Sequence, residues 1–144
     1  MAYITYDEYV AIYGQNITEA DFPMYAENAT DMIDMVTRYE IVQCGGISAL
    51  PPLVQNLVKK AAAAQVLYYS QNGLDTVMSG QAGQGFTVGK VHLDGAVSGS
   101  GSGNSAAQLM ISPAATAFLE QTGLMERSVP CLDPSRNAYL STWW

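Results

Sequence analysis

The sequence PPLVQNLVKKAAAAQVLYYSQNG, residues 51–73, decides the fold. Proline suits the first turn of a helix because no intrahelical partner awaits its missing N–H there. Apolar residues then recur at helical spacing until Asn72 and Gly73 end the pattern. We therefore predict a helix over about residues 51–72. The four alanines at positions 61–64 present little side chain, so another helix or a neighbouring subunit can approach this backbone closely.

Two further helices are predicted on the N-terminal side. Thr5 followed by Glu8 has the spacing of a capping box and predicts a helix over about residues 5–13. A second helix over about residues 22–42 begins after Thr18 or Asp21, with Pro23 in its first turn. Its apolar residues repeat at helical spacing and its charged residues line another face, so this helix is amphipathic.

A fourth helix is predicted on the C-terminal side, over about residues 113–122. Ser112 is placed to be its N-cap, Pro113 occupies the first helical position, and Gly123 ends it. Four such helices predict a mainly α fold, a small four-helix bundle. With 144 residues the chain is expected to form a single domain.

A glycine-rich insertion separates the third and fourth helices. Residues 73–105 hold nine of the 13 glycines, and a connection of this length is either disordered or an arm that orders against something else. Residues 75–78 and 86–93 have the composition of strands and predict an inserted hairpin, with a bulge near Gly89. Residues 95–105 are typical of flexible coil, so the hairpin and arm together cover about residues 74–105.

The insertion and the C-terminal tail supply the candidate interface residues. An isolated two-stranded hairpin is marginal in water and needs a partner surface. Residues 124–144 form an extended tail whose aromatic side chains either anchor in a groove of a neighbouring protein or pack on their own chain. The candidate interface residues are Thr76, Val77, Phe86, Val88, Val91, Leu93, Tyr139, Trp143 and Trp144.

Charge is scarce and unevenly distributed. Only 13% of residues are charged, and residues 1–43 carry eight acids against Arg38 alone, which accounts for the whole net charge of −7. An acidic surface repels phosphate and disfavours sequence-specific binding of nucleic acid. Glu27, Asp31 and Asp34 share one face of the second helix, either as a solvated acidic stripe or as ligands for a divalent cation. Asp34 is also spaced to pair with Arg38 on that surface.

No sequence motif for catalysis or cofactor binding has all of its required residues. The glycines near Lys90 resemble a phosphate-binding loop, but Gln84 stands where the first glycine is needed and Val91 replaces serine or threonine. His92 is the only histidine and lies in the insertion. We therefore expect no enzymatic activity, no cofactor and no metal site.

The chain has neither a secretory signal pattern nor an apolar run long enough to cross a bilayer. We expect a protein made in the cytoplasm, without membrane contact. In that compartment Cys44 and Cys131 are predicted to remain thiols.

Several stretches resemble the head-tail adaptor, or connector, proteins of long-tailed bacteriophages. They are the opening YITYDEY at residues 3–9, residues 22–39, the proline-initiated third helix, and FLEQTGLMERSV at residues 118–129. The resemblance covers roughly residues 1–129 and rests on the order of elements and on short apolar motifs. The Gly/Ser-rich segment at 95–105 and the aromatic tail at 133–144 depart from the family pattern.

The resemblance implies a structural virion protein of the neck, made in the host bacterial cytoplasm. Such proteins form a homo-oligomeric ring, expected to be a dodecamer, that binds the portal protein and docks a stopper or other tail-side protein. Genomic DNA then passes through the lumen without sequence-specific binding, and the acidic face of Glu27, Asp31 and Asp34 is our candidate for the channel wall.

Two alternatives stay open at this point. A different neck or tail component, such as a stopper or tail terminator, would share the low charge but is expected to be dominated by β-strands. A small intracellular enzyme would instead need a pocket with convergent polar groups around His92.

Overall fold

The computed structural model describes residues 2–79 and 110–125, together with the backbone of two short strands between them. The described part is mainly helical, as predicted. In chain order the elements are α1 (Tyr6–Tyr13), α2 (Phe22–Val36), α3 (Glu40–Gln43), a 3₁₀ turn (Ile47–Ala49), α4 (Pro52–Asn72), α5 (Leu74–Met78), β1 (Phe86–Val88), β2 (Val91–Leu93) and α6 (Pro113–Glu120).

Helix α1 begins with the predicted capping box. The Glu8 backbone N–H donates to Thr5 Oγ1 at 3.4 Å, and the Thr5 N–H donates to Glu8 Oε2 at 3.0 Å. The two bonds satisfy N–H groups that have no intrahelical partner. The Tyr9 ring lies 5.5 Å from the ring of Phe22, so α1 packs on the first turn of α2 through an aromatic contact.

Helix α2 ends at Val36, six residues before the predicted end. Arg38 and Tyr39 adopt left-handed backbone angles, with φ of 54° and 60°. The Tyr39 N–H donates to the carbonyl of Asp34 at 2.7 Å and the Arg38 N–H to that of Met35 at 3.2 Å, which is the Schellman pattern of a helix end. Glycine usually occupies the left-handed position, so with arginine there the sequence carried no stop signal.

Helix α4 is the centre of the molecule, with α2 and α6 as its main packing partners. All residues from 61 to 66 are buried, so this stretch is covered on every side. The alanine side chains at 61–64 are small enough for neighbouring helices to approach the backbone from several directions. The sequence allowed either another helix or a neighbouring subunit to pack closely on these alanines. In this chain, helices α2 and α6 pack on α4.

One buried glutamine fastens the C-terminal segment to α4. Gln65 is fully buried, and its Nε2 donates to the carbonyl of Met110 at 2.9 Å. Its Oε1 accepts from the backbone N–H of Ser112 at 2.8 Å. Ser112 is the N-cap residue of α6, as predicted, but its own side chain makes no capping bond. The amide of Gln65 thus fixes the point at which the chain returns from the insertion.

We expect Gln65→Ala to lower the free energy of unfolding by about 2–4 kcal/mol, because two backbone groups lose their partner. Urea unfolding followed by circular dichroism measures the loss. Gln71→Ala is the matched control, since Gln71 lies on the same helix but is exposed, and its effect should stay within about 0.5 kcal/mol. Equal effects of the two substitutions would contradict this role of Gln65.

The hydroxyl of Tyr69 is the one buried side-chain polar atom without a hydrogen-bond partner among the described residues. The side chain of Tyr69 is fully buried in α4, and this burial raises the pKa of its hydroxyl. The neighbouring Gln65 amide is already committed to Met110 and Ser112. The unpaired hydroxyl therefore costs free energy in the folded state.

Tyr69→Phe is expected to leave stability unchanged or raise it by about 1 kcal/mol, since it removes a buried group that makes no bond. Tyr9→Phe is the comparison. Tyr9 is equally buried, but its hydroxyl donates to Asn16 Oδ1 at 2.7 Å, so this substitution should lower stability by about 1 kcal/mol. Thermal and urea unfolding measure both variants, and a larger loss for Tyr69→Phe than for Tyr9→Phe would contradict the assignment.

The strand predicted over residues 75–78 is wrong, because these residues belong to helix α5. Val77 is fully buried, and its N–H donates to the carbonyl of Gly73 at 3.1 Å. The strand prediction rested on Thr76 and Val77, but the β preference of such residues depends on context and is overridden here.

Residues 86–93 contain two paired strands rather than the single predicted strand. Strands β1 and β2 are antiparallel, with Phe86 opposite Leu93 and Val88 opposite Val91. The change of phase in the apolar alternation therefore falls between two strands. Gly89, where we predicted a bulge, lies outside the described residues, as do the predicted coil at 95–105 and most of the tail.

Cys44, at the C-terminal end of α3, is disulfide-bonded. The prediction of a thiol is therefore wrong for this residue. Cys131 lies outside the described residues. Across the ranges that the structure describes, the helices are too short or too polar to cross a membrane.

Candidate interaction surfaces

A groove on the surface between α1 and α4 is the first candidate for a binding site. Its volume is about 330 Å³, and it is lined by Glu8, Ala11, Ile12, Asn56, Lys59 and Lys60. The lining combines exposed apolar surface, including Ile12 at 46% exposure, with charged groups at the rim. An apolar recess with charged groups at its rim has the composition of a protein–protein contact surface.

An ion pair crosses this groove and fixes its width. Lys59 Nζ lies 2.5 Å from Glu8 Oε1, while the other carboxylate oxygen of Glu8 accepts the N–H of Thr5. The bond from Lys59 and the Thr5 N–H lower the pKa of Glu8. Both charged side chains are more than a third exposed, so the pair positions α1 on α4 and adds little stability.

The apolar surface of α4 continues beyond the groove. Leu53 is 71% exposed, and it precedes Asn56 and Lys60 by three and seven residues, which places all three on one face of the helix. We call Leu53 together with the groove residues the α1–α4 surface.

A second apolar surface lies where α2 turns into α3. Met35, Tyr39 and Val42 are 54–55% exposed, although all three are large hydrophobic side chains. The left-handed turn at Arg38 and Tyr39 produces this arrangement, because it ends α2 early and directs Ile41 into the core instead. We call these three residues the α2–α3 corner.

The predicted acidic stripe on α2 is wrong at Asp34. Glu27 and Asp31 are exposed, but Asp34 is only 8% exposed because the N-terminal segment crosses it. The hydroxyl of Tyr3 donates to Asp34 Oδ1, and the backbone N–H of Tyr3 donates to Thr30 Oγ1 at 3.1 Å. Of the three predicted channel-facing residues, only Glu27 and Asp31 are therefore exposed enough to line a channel.

Burial controls the ionisation of this acid. Loss of water raises the pKa of Asp34, the bond from Tyr3 acts against the rise, and the charge of Asp31 adds to it. The pKa of the Tyr3 hydroxyl is also raised, chiefly by burial. Tyr3 therefore stays protonated at neutral pH, and its hydroxyl is the donor of this hydrogen bond.

The alternative of a cation site and the predicted surface ion pair find no support on α2. No cluster of three or more histidine, cysteine, aspartate or glutamate residues is placed to hold a metal ion within residues 2–79 and 110–125. Asp34 directs its carboxylate to Tyr3 rather than lying on the surface where pairing with Arg38 was predicted. The hydrogen bond from Tyr3 could not be foreseen, because nothing in the helical pattern shows which segment crosses α2.

The structure separates the predicted interface residues. Thr76 is exposed on α5, whereas Val77 is fully buried in its own chain and is not available to a partner. Phe86 and Val88 belong to β1, and Val91 and Leu93 to β2. The side chains of these four residues lie outside the described part, as do Tyr139, Trp143 and Trp144. The α1–α4 surface and the α2–α3 corner were not foreseen, although the exposed position of Leu53 follows from the helical pattern.

Asp34→Asn should show a stability difference from the parent chain that depends on pH. A raised pKa in the folded state means that the stabilising contribution of Asp34 is complete below about pH 4 and is lost as the pH rises through the raised value. Asparagine does not titrate, so the variant should gain stability relative to the parent as the pH rises above about 4. Urea unfolding at several pH values measures this.

Glu19→Gln is the control for this experiment, because Glu19 is exposed. Its difference from the parent chain should stay nearly constant over the same range. A stability difference for Asp34→Asn that is flat with pH, or that moves against the variant as the pH rises, would contradict the burial argument.

Comparison with known proteins identifies no relative. No protein-family model matches the chain, and neither a curated protein nor a solved structure is similar to it.

Proposed function

We propose that this chain is a structural virion protein that forms a ring in the neck of a bacteriophage, between the portal and the tail-side proteins. The ring extends the DNA channel and helps to join head to tail. The observation that carries this proposal is the exposure of seven large hydrophobic side chains on the described part of a chain with few charges. These residues are Ile12, Met24, Met35, Tyr39, Val42, Leu53 and Met78.

The exposed side chains favour assembly over a solitary protein. Apolar residues and methionine are common in the cores of protein interfaces, where charge is depleted. The α1–α4 surface combines a groove with the exposed Leu53, so it offers a partner both a recess and an apolar side chain. When this surface packs against a different surface of the next subunit, the contact is head-to-tail and closes into a ring if the rotation between subunits allows it. We therefore assign the contact between subunits to this surface.

The order of elements supports an adaptor rather than another neck protein. The motifs that resemble head-tail adaptors fall on α1, on α2 and on α6 with the residues after it. Stoppers and tail terminators are expected to consist mainly of strands, whereas the described part of this chain is mainly helical. In the assembled ring we expect a four-helix bundle with the β1–β2 hairpin reaching the portal, the stopper or an adjacent subunit.

The acidic end of the chain suits a passage for DNA. Glu27 and Asp31 remain exposed on α2, and like charge keeps a phosphate backbone from adhering to a wall that it must slide along. We therefore place these two residues at the lumen, in a protein made in the host bacterial cytoplasm and incorporated into the virion.

The mass of the purified chain, alone and after mixing with a portal ring, tests the proposal. We expect a complex whose mass corresponds to a closed ring of copies on the portal. Leu53→Asp should reduce ring formation at least about tenfold, since it puts a charge into an apolar contact. A parent chain that stays monomeric and does not bind the portal would contradict the proposed function.

Met24→Asp is the matched control. Met24 is 50% exposed and, like Leu53, lies in a first helical turn that contains a proline, but on α2 rather than α4. It should leave ring formation unchanged. Equal loss in both variants would show that the contact is not on the α1–α4 surface.

A further inference from the structure

The disulfide at Cys44 identifies a second, separate surface. The sequence contains two cysteines, and the second is Cys131. Cys44 is half-buried at the end of α3, two residues after Val42 of the α2–α3 corner. Its sulfur partner is therefore either Cys131 of the same chain or a cysteine of another molecule, and the two possibilities have different consequences for the corner.

The chain is long enough for the bond to form within one molecule. Met125 is the last described residue, and Met125 and Cys44 both pack against the same hydrophobic core. Six residues lead from Met125 to Cys131, and such a segment spans up to about 20 Å when extended. This reach is comparable to the dimensions of a domain of this size.

We propose that Cys44 is bonded to Cys131 of the same chain and that the tail, residues 126–144, covers the α2–α3 corner. Met35, Tyr39 and Val42 of the corner are exposed to solvent. An exposed apolar surface of this kind is typical of a contact site. The tail ends in Tyr139, Trp143 and Trp144, which are aromatic side chains of the type that anchors in apolar surfaces.

The charge of the tail suits this intramolecular position. Residues 126–144 carry two acids and two arginines, so the segment is neutral and meets no net repulsion from the acidic N-terminal region. The bond also reduces the entropic cost of docking, because it holds the aromatic end near the corner at high effective concentration.

The bond forms by thiol–disulfide exchange with an external disulfide such as glutathione disulfide. The thiolate of one cysteine attacks this disulfide and releases one glutathione thiol. The second cysteine thiolate then attacks the mixed disulfide, the protein bond closes, and a second glutathione thiol leaves. The two cysteines together lose two protons and two electrons, and glutathione disulfide is reduced to two thiols.

Mass spectrometry of the purified full chain under non-reducing conditions tests the bond. We expect a monomer lighter than the reduced chain by the mass of two hydrogens, and a linked peptide pair that contains Cys44 and Cys131. A bond between two copies, or two free thiols after incubation with glutathione disulfide, would overturn the proposal.

Tryptophan fluorescence tests the docking itself, because both tryptophans of the chain, Trp143 and Trp144, lie in the tail. In the oxidised chain we expect weak quenching by acrylamide. Val42→Asp places a charge on the corner and should raise the quenching constant at least about twofold. Met24→Asp, which changes an equally exposed residue elsewhere, should leave the quenching constant unchanged.

Val42→Asp could raise quenching simply by misfolding, so we also compare the oxidised and the reduced parent chain, which carry no substitution. Reduction of the parent chain should increase quenching toward the value of a short tryptophan peptide, while circular dichroism shows the helices intact. Quenching in the oxidised parent that already equals the peptide value would overturn the docking. The outcome is independent of ring formation, since it is measured on the chain alone.

Discussion

The structure depends on the close approach of helices to the alanine-rich centre of α4. Residues 61–66 are buried on all sides, and only small side chains at 61–64 allow α2 and α6 to pack against this helix together. Packing between well-fitted apolar surfaces is the dominant stabilising term in a domain of this size. The remaining elements take their positions from α4. The Glu8–Lys59 pair positions helix α1 on α4, and Gln65 fastens α6 to it.

The attachment of the insertion follows from the same helix. The chain leaves α4 at Gly73, and Gln65 of α4 binds it again at Met110 and Ser112. Both ends of the intervening segment are therefore anchored on one element. The described start of this segment contributes Val77 to the core, and α6 adds Ala115 and Leu119 after the chain returns. In the proposed ring, such an insertion is suited to contacts with other proteins.

Local signals in the sequence were sufficient for much of the fold. Proline in the first turn, glycine after the last turn and the Thr5–Glu8 capping box predicted where α1, α4 and α6 begin and end within about two residues. These local signals failed at positions where contacts with the rest of the chain determine the secondary structure. The left-handed Arg38 ended α2 without a glycine, and residues 75–78 lie in a helix although their composition is typical of a strand.

The candidate surfaces were harder to predict than the helices. The burial of Asp34 depends on Tyr3, which is 31 residues away in sequence, and no periodicity encodes that contact. The groove between α1 and α4 likewise depends on how two helices pack and not on either helix alone. The helical pattern identifies which face of α4 holds Leu53, but it does not show whether another helix covers that face.

Amide hydrogen exchange of the isolated chain tests the central role of α4 most directly. If the other elements are organised around this helix, the amides of residues 58–69 exchange only through global unfolding and are the slowest in the protein. The amides of α3 and α5 exchange faster, through local opening. Exchange in the middle of α4 that is as fast as in α3 or α5 would contradict the account.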